Sequence, residues 1–258
     1  MRLSDKRAVI TGGGRGIGAA TARLLAAEGA SVVVAARSAG QLEELVEELR
    51  SAGHEAFAVP CDVTDPQQVE HLREATIEHL GGADVLVNNA GIATSAKLED
   101  LSLETWNHVF AVNVTGVFLC TRAFLPGMRK RRWGRVVNVA SVAGKQGAAY
   151  ISAYAASKHA VVGFTRALAV EVAAAGVTVN AVCPGYVDTD MTVESVSRIA
   201  GKTGLAPEEV RKRLAGFSPQ GRIYSAEEVA YQVLCLCDPR AGGVNGQSLV
   251  IDGGTVQS

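Results

Sequence analysis

The chain has 258 residues, of which 48% are apolar and 20% are charged, and its formal net charge is −1. This composition is typical of one large globular domain, and the near-neutral charge disfavours binding to nucleic acid or a membrane surface. Residues Met1–Lys6 contain no apolar signal core, and the apolar stretch Ala160–Val182 is interrupted by Arg166 and Glu171. We therefore expect no membrane span and a cytoplasmic location.

Short β-branched runs alternate with longer amphipathic segments along the whole chain. The predicted strands are Ala8–Thr11, Ser31–Ala36, Glu55–Pro60, Val85–Asn88, Arg135–Ala140, Val177–Val182 and Ser248–Ile251. The predicted helices are Ile17–Glu28, Gln41–Ser51, Pro66–His79, Leu103–Met128, Ser152–Ala174 and Ala226–Cys237. Continuous apolar strands separated by helices indicate a parallel sheet covered on both faces. The predicted fold class is α/β, a doubly wound parallel sheet of about seven strands in a single domain, 1–258.

A glycine-rich turn joins the first predicted strand to the first predicted helix. Its sequence is Gly12-Gly13-Gly14-Arg15-Gly16-Ile17-Gly18. Glycines permit a tight turn there and let backbone N–H groups approach a pyrophosphate at the helix N-terminus. The position of the turn, directly between strand and helix, predicts a dinucleotide-binding site.

The end of the second predicted strand indicates which nicotinamide cofactor is used. NAD sites usually place an acidic residue there, whereas this chain has Ala36 followed by Arg37. A guanidinium can bind a ribose 2′-phosphate through charge-assisted hydrogen bonds, and Arg15 could approach the same phosphate. The alternative is that both arginines are solvated surface residues. We predict NADP(H).

The stretch 191–224 is the one irregular part of the pattern. It reads as one or two short helices inserted before Ala226. An insertion beyond the carboxyl end of a strand is well placed to cover a substrate, so we expect a lid. The alternative is an ordinary packed connection.

Tyr154 and Lys158 are four residues apart in a predicted helix, so their side chains share one face. A tyrosine pKa of about 10 is too high for ready proton exchange at neutral pH, and a neighbouring cation lowers it. Ser141 ends the fifth predicted strand, where its hydroxyl could hydrogen-bond a substrate carbonyl. In isolation, such a Tyr–Lys pair is more often a solvated helix face.

These motifs together resemble one family, the short-chain dehydrogenases/reductases in their compact form. The resemblance covers nearly the whole chain and rests on the Gly-x-x-x-Gly-x-Gly spacing, Cys61-Asp62-Val63, Asn88-Asn89-Ala90-Gly91, Asn113, Ser141, Tyr154-x-x-x-Lys158 and Pro184-Gly185. It implies a Rossmann fold, a nicotinamide cofactor, and conversion between a ketone and a secondary alcohol with Tyr154 as acid/base. The complete set of motifs disfavours a catalytically inactive binding protein on the same fold.

The resemblance also implies residue roles. Asp62 and Val63 would border the adenine, Asn89, Ala90 and Gly91 the cofactor ribose, and Lys158 the nicotinamide ribose. Pro184, Gly185, Val187 and Thr189 would hold the carboxamide, while Asn113 would complete a proton relay to Lys158 through a bound water. The closing Asp252-Gly253-Gly254 resembles the subunit contact of tetrameric members, so we expect a homotetramer; a simple terminal strand is the alternative.

The residues expected to contact the substrate are Ser141, Val142, Gln146, Tyr154 and Tyr186. Within the family, the chain is most similar to 3-oxoacyl-thioester reductases and aromatic polyketide ketoreductases, and the segments Gly144–Gly147, Ser157–His159 and Val182–Gly185 resemble the latter. We therefore expect a 3-oxoacyl thioester, on CoA or a carrier protein, or a polyketide-like ketone. Ala175 stands where carrier-protein reductases often have a basic residue, which favours CoA or a free ketone. The alternative is a secondary-alcohol dehydrogenase for a cyclic or aryl ketone, and no metal site is expected.

Overall fold

Seven strands form one parallel sheet in the computed structural model, which describes residues 1–257. They are β1 (Arg7–Thr11), β2 (Ser31–Ala36), β3 (Ala56–Pro60), β4 (Val85–Asn88), β5 (Gly134–Val139), β6 (Val177–Pro184) and β7 (Ser248–Ile251). Most of their residues are apolar and buried on both sides, as parallel strands covered by helices require. All seven predicted strands are confirmed, with bounds that differ by at most two residues.

The strand order is β3-β2-β1-β4-β5-β6-β7. The chain builds outward from β1 to β3, then returns to pair β4 with the other side of β1. The order reverses between β1 and β4, and doubly wound sheets bind ligands outside the carboxyl ends of the strands at such a point. The topology therefore places the expected site beside the turn that follows β1.

Nine α-helices accompany the sheet in residues 1–257. They are α1 (Gly16–Ala27), α2 (Ala39–Ser51), α3 (Pro66–Leu80), α4 (Leu103–Phe110), α5 (Gly116–Arg131), α6 (Ser152–Val172), α7 (Asp190–Thr203), α8 (Pro207–Ala215) and α9 (Ala226–Cys237). One buried cluster joins α1, α2 and α9 to the sheet, and a second joins α3, α5 and α6 to it. The two clusters occupy opposite faces, which confirms the doubly wound α/β class.

The single helix predicted over Leu103–Met128 is wrong as one continuous α-helix. A π-helical turn, Ala111–Thr115, separates α4 from α5. By length and composition the stretch Leu103–Arg131 could cross a membrane, but half of its most apolar window is buried within the fold. Its residues Leu119, Cys120 and Phe124 belong to the core cluster under the sheet. The apolar character of this stretch is therefore that of a core helix.

Between β6 and α9, the predicted insertion contains α7 and α8, which we call the α7–α8 segment (residues 190–215). Its own buried core consists of Val196, Val210 and Leu214, with a few half-buried apolar neighbours. An isolated parallel bridge between Val187 and Tyr224 joins the chain just before the segment to the chain just after it. The segment is thus a small unit with few core residues of its own, attached beside the carboxyl ends of the strands.

Candidate active site

A cavity of about 730 Å³ opens at the carboxyl ends of the strands, between the glycine-rich turn and the α7–α8 segment. It brings together nearly all the predicted site residues, namely Gly12, Gly14, Arg15, Gly16, Ile17, Arg37, Asp62, Val63, Asn89, Ala90, Gly91, Ser141, Val142, Gln146, Tyr154, Lys158, Pro184, Gly185, Tyr186, Val187 and Thr189. Two predicted residues lie behind the wall instead of on it, Gly18 and Asn113.

The glycine-rich turn is held by the loop that follows β4. Asn89 Nδ2 donates to the carbonyls of Thr11 at 2.9 Å and Gly12 at 3.0 Å, while Thr11 Oγ1 accepts from the backbone of Asn89 and Ala90. A Cβ on Gly18 would collide with the Gly12 carbonyl and with Asn89, so only glycine lets α1 begin this close to β1. Gly18 therefore shapes the turn from behind. The resulting cradle, at a helix N-terminus, fits a pyrophosphate.

The two arginines predicted to meet a 2′-phosphate occupy different environments. Arg37 follows β2, is exposed and lines the cavity. Arg15 also lines it, but Arg15 Nη1 lies 2.9 Å from Asp190 Oδ2 and 3.9 Å from Glu194 Oε1, both on α7. In this structure Arg15 therefore ties the cofactor turn to the α7–α8 segment, and Arg37 is the better placed of the two for a phosphate.

Tyr154 and Lys158 project from α6, and Ser141 follows β5, so all three meet at one wall of the cavity. Lys158 is buried; its Nζ donates to the Val139 carbonyl at 2.8 Å and lies 5.7 Å from the centroid of the Tyr154 ring. Burial lowers the pKa of Lys158 to about 8. Ser141 Oγ accepts from the backbone of Ala143 at 3.1 Å, so its hydroxyl proton points to an acceptor in the cavity, either the Tyr154 oxygen or a substrate carbonyl.

The pKa of Tyr154 departs from the expectation. Burial raises it, while a hydrogen bond with Ser141 acts in the opposite direction and is outweighed. Lys158 does not offset this rise, because its ammonium is turned toward the Val139 carbonyl at the end of β5. A phenol is protonated at neutral pH even at its ordinary pKa of about 10, so Tyr154 holds a proton that a developing alkoxide could take.

Asn113 lies in the π-helical turn and is completely buried. Its Oδ1 accepts from the Ile92 backbone at 2.9 Å, and its Nδ2 donates to the Ile92 carbonyl and to Ser157 Oγ, each at 3.0 Å. Ser157 Oγ in turn donates to the Tyr154 carbonyl at 2.7 Å. A Cβ on Gly91 would lie 3.4 Å from Asn113 Oδ1 and 3.6 Å from Lys158 Nζ. Asn113 thus fixes the loop after β4 against the turn of α6 that carries Tyr154.

Sequence reasoning missed three contributors to the site. Ser157 links Asn113 to α6, Thr11 caps the loop after β4, and Arg198 lines the cavity from α7. The pairing of Ser157 depends on contacts between distant elements, which no local pattern carries. Within residues 1–257, no three His, Cys, Asp or Glu side chains cluster as metal ligands would, and all five cysteines are free.

The chain matches the family model for short chain dehydrogenases over residues 6–200. It is 39% identical to a 3-oxoacyl-(acyl-carrier-protein) reductase of Vibrio cholerae over 254 residues, which cover 98% of each chain. A crystal structure of a variant of actinorhodin polyketide ketoreductase with NADPH superimposes with a TM-score of 0.94 at 42% identity, covering 99% of this chain and 98% of that one. Levodione reductase gives the same TM-score at 37% identity, covering 98% of both chains.

These matches are far above what a shared fold alone would give, and they include the whole catalytic wall. The chain belongs to the short-chain dehydrogenase family. The predicted resemblance is confirmed, as is the prediction that the protein is an enzyme of this oxidoreductase class.

Proposed function

We propose that the protein is an NADPH-dependent ketoreductase acting on a 3-oxoacyl thioester or a polyketide-like ketone. One observation carries the proposal: Tyr154, Ser141 and Lys158 meet at one wall of the cavity that also holds the glycine-rich turn. The named activities of the Vibrio cholerae reductase and the actinorhodin ketoreductase support the substrate class, and the NADPH of the latter supports the cofactor.

The residues present fit that cofactor. The glycine cradle suits the pyrophosphate, Arg37 suits the 2′-phosphate, and the tract Asn89–Gly91 suits the ribose beside Lys158. The same cavity is also lined by the residues expected to hold the nicotinamide carboxamide, namely Pro184, Gly185, Val187 and Thr189. When bound, reduced nicotinamide supplies the hydride for the carbonyl carbon.

The side chains of this chain handle the carbonyl oxygen. Ser141 donates its hydroxyl proton to that oxygen and orients the carbonyl. Tyr154, which is protonated at neutral pH, delivers its phenolic proton to the oxygen as negative charge develops there. Lys158 Nζ lies 5.7 Å from the centroid of the Tyr154 ring, so its positive charge stabilises the phenolate that remains after the proton is transferred. Asn113 keeps this turn of α6 in place.

The α7–α8 segment is proposed to be the lid over the ketone. Met191, Ile199 and Phe217 line the cavity from this side of the molecule, and Tyr186 stacks on Phe217 with ring centroids 6.2 Å apart. Its small core and its position at the cavity mouth are what a mobile cover requires.

A direct assay follows NADPH consumption with acetoacetyl-CoA, its carrier-protein analogue and a bicyclic ketone. We expect turnover with at least one thioester, and NADPH to be preferred to NADH. Turnover of the bicyclic ketone alone would favour the alternative, a secondary-alcohol dehydrogenase for a cyclic ketone, for which the structural similarity to levodione reductase is the specific support. No turnover of any ketone would contradict the proposal.

A homotetramer in the cytoplasm completes the proposal. The edge strand β7 is only half-buried, and Val170 on α6 beside it is 82% exposed. Ala169, Ala173 and Gly246 form a shallow groove next to Val170. An open strand edge beside exposed apolar surface is what a second copy would cover. Light scattering should give the mass of a tetramer for the wild-type protein. The variant Val170→Glu should give a smaller particle mass, because a charge would be placed in the proposed contact.

A further inference from the structure

The arginines of the α7–α8 segment and of the loop after it are nearly all neutralised by carboxylates. Arg211 lies 2.9 Å from Asp188, Arg213 lies 2.7 Å from Glu209, and Arg222 lies 2.6 Å from Glu228. Arg198 is the exception: within residues 1–257 it forms no ion pair and no hydrogen bond. It is also half-buried and lines the active-site cavity.

The isolation of Arg198 has an identifiable origin. Glu194 precedes it by four residues on α7, the spacing and order that favour a helical ion pair. Glu194 instead faces Arg15 at 3.9 Å, where Asp190 is also engaged. The local acidic residues are therefore committed to the cofactor turn, and Arg198 keeps an uncompensated charge toward the cavity.

The surroundings of Arg198 define what it would meet. Ser195 and Ile199 line the cavity beside it on α7, and Lys202, one turn further along, donates to the Ser95 carbonyl at 3.5 Å. This contact holds α7 over the loop that follows β4, so Arg198 closes the same cavity that Tyr154 reaches from α6. Ile199, Leu214 and Phe217 give this side of the cavity an apolar surface. Arg222 lines the same side but is paired with Glu228, so Arg198 is the unpaired cation there. An unpaired cation beside apolar side chains matches a ligand with one anionic group on an apolar body.

We propose that Arg198 binds an anionic oxygen group, a carboxylate or a phosphate, carried by the ketone substrate at a distance from its reacting carbonyl. This inference rests on the proposed ketoreductase function and specifies its substrate class. A planar guanidinium binds either group through paired charge-assisted hydrogen bonds, which are stronger in a half-buried site than in open water. A free keto acid would present a carboxylate, and a CoA thioester would present a phosphate.

Two matched substrate pairs separate these sources. Acetoacetyl-CoA is compared with the acetoacetyl thioester of N-acetylcysteamine, which lacks phosphate, and 4-oxocyclohexanecarboxylate with its methyl ester. In Arg198→Met, which keeps the aliphatic stem, kcat/KM for the anionic member of one pair should fall about 10- to 100-fold. The neutral member should change by no more than about 2-fold, because it never used the charge. Arg198→Lys should restore part of the loss.

Arg213→Met is the matched control, since Arg213 is exposed on α8 and does not line the cavity. It should leave both pairs unchanged, and the KM for NADPH should be unchanged in every variant. If Arg198→Met loses the preference for acetoacetyl-CoA over its neutral partner, the bound group is a phosphate. If it loses the preference for 4-oxocyclohexanecarboxylate over the methyl ester, the bound group is a carboxylate. If wild-type enzyme turns over the neutral ketones but shows no preference for either anionic partner, or if Arg198→Met slows both members equally, the inference is overturned while the proposed function stands. If no ketone is turned over, both are overturned.

Discussion

The catalytic wall and the α7–α8 segment face each other across one cavity but are stabilised in different ways. Ser141 and Lys158 are buried against β5 and α6, which are themselves part of the main core. The α7–α8 segment rests on three buried side chains of its own and on the ion pairs of Arg15. The proposed catalytic residues are thus set on elements of the sheet core, whereas the proposed lid has only a small core of its own.

Removing the phenol is the most severe test of the catalytic wall. Tyr154→Phe should lower kcat about 10³-fold or more, because the proton donor to the carbonyl oxygen is lost while the ring remains in place. The dissociation constant for NADPH, measured by fluorescence titration, should change little. Substantial residual turnover in this variant would show that another group donates the proton.

The sheet core also depends on an ion-pair network at the opposite ends of the strands. Asp84 accepts from Arg7 at two positions, each 2.7 Å, and from Arg131 at 3.1 Å. Burial alone would raise the pKa of Asp84, but the hydrogen bonds and charges of Arg7 and Arg131 lower it. Asp84→Asn should reduce the free energy of unfolding by about 2–4 kcal/mol, because two guanidinium groups lose their shared partner.

The pH dependence of stability follows from the same shift. The pKa of Asp84 is lower in the folded protein than in the unfolded chain. The ionised carboxylate therefore adds its full share to the free energy of unfolding above about pH 4, and this share is lost as the pH falls through the pKa of Asp84 in the folded protein. Denaturant titrations of wild type and Asp84→Asn should therefore converge at acid pH. A constant difference between them would contradict this account.

The preference for NADPH over NADH distinguishes Arg37 from Arg15, which both line the cavity between the catalytic wall and the α7–α8 segment. Arg37→Ala should lower kcat/KM for NADPH about 10- to 100-fold and leave NADH nearly unchanged, since only the 2′-phosphate loses its partner. Arg15→Ala should have a smaller effect on this ratio, because Arg15 is paired with Asp190 and Glu194. An equal loss with both cofactors in Arg37→Ala would place the phosphate elsewhere.

The smallest effect is expected within the α7–α8 segment itself. Val210 is 1% exposed and packs in the small cluster of that segment. Val210→Ala should destabilise it locally by about 1–2 kcal/mol and raise the KM for the ketone a few-fold, with the midpoint of global unfolding nearly unchanged. Leu45→Ala on α2 is the comparison, because Leu45 belongs to the core cluster that joins α1, α2 and α9 to the sheet. This change should clearly lower the midpoint of global unfolding, which would confirm that this cluster and the cluster of the α7–α8 segment respond separately.

Local patterns in the sequence were sufficient for the elements that build the site. The runs of Val and Ala in β1 and β2 predict buried strands, and the glycines after Thr11 predict the cofactor turn, because both signals are contained in a few neighbouring residues. The helix carrying Tyr154 and Lys158 was predicted for the same reason. These parts of the fold needed no knowledge of what lies across the sheet.

The remaining features depend on contacts that the local pattern does not contain. Arg15 and Asp190 are 175 residues apart in the chain, so their pairing is visible only in the folded structure. The pKa of Tyr154 is raised by burial, which outweighs its hydrogen bond with Ser141, and the depth of that burial is set by the whole fold. The unpaired state of Arg198 follows from the same long-range pairing, since its natural partner on α7 is turned toward Arg15.

The π-helical turn around Asn113 makes the number of residues between α4 and α5 as important as their identity. Each residue of an α-helix advances the side-chain direction by about 100°, so deleting a single residue of Ala111–Thr115 would allow a regular helix while turning Asn113 away from Ile92. Losing one residue from this stretch is therefore expected to keep a helix but to break the contact that joins the loop after β4 to α6.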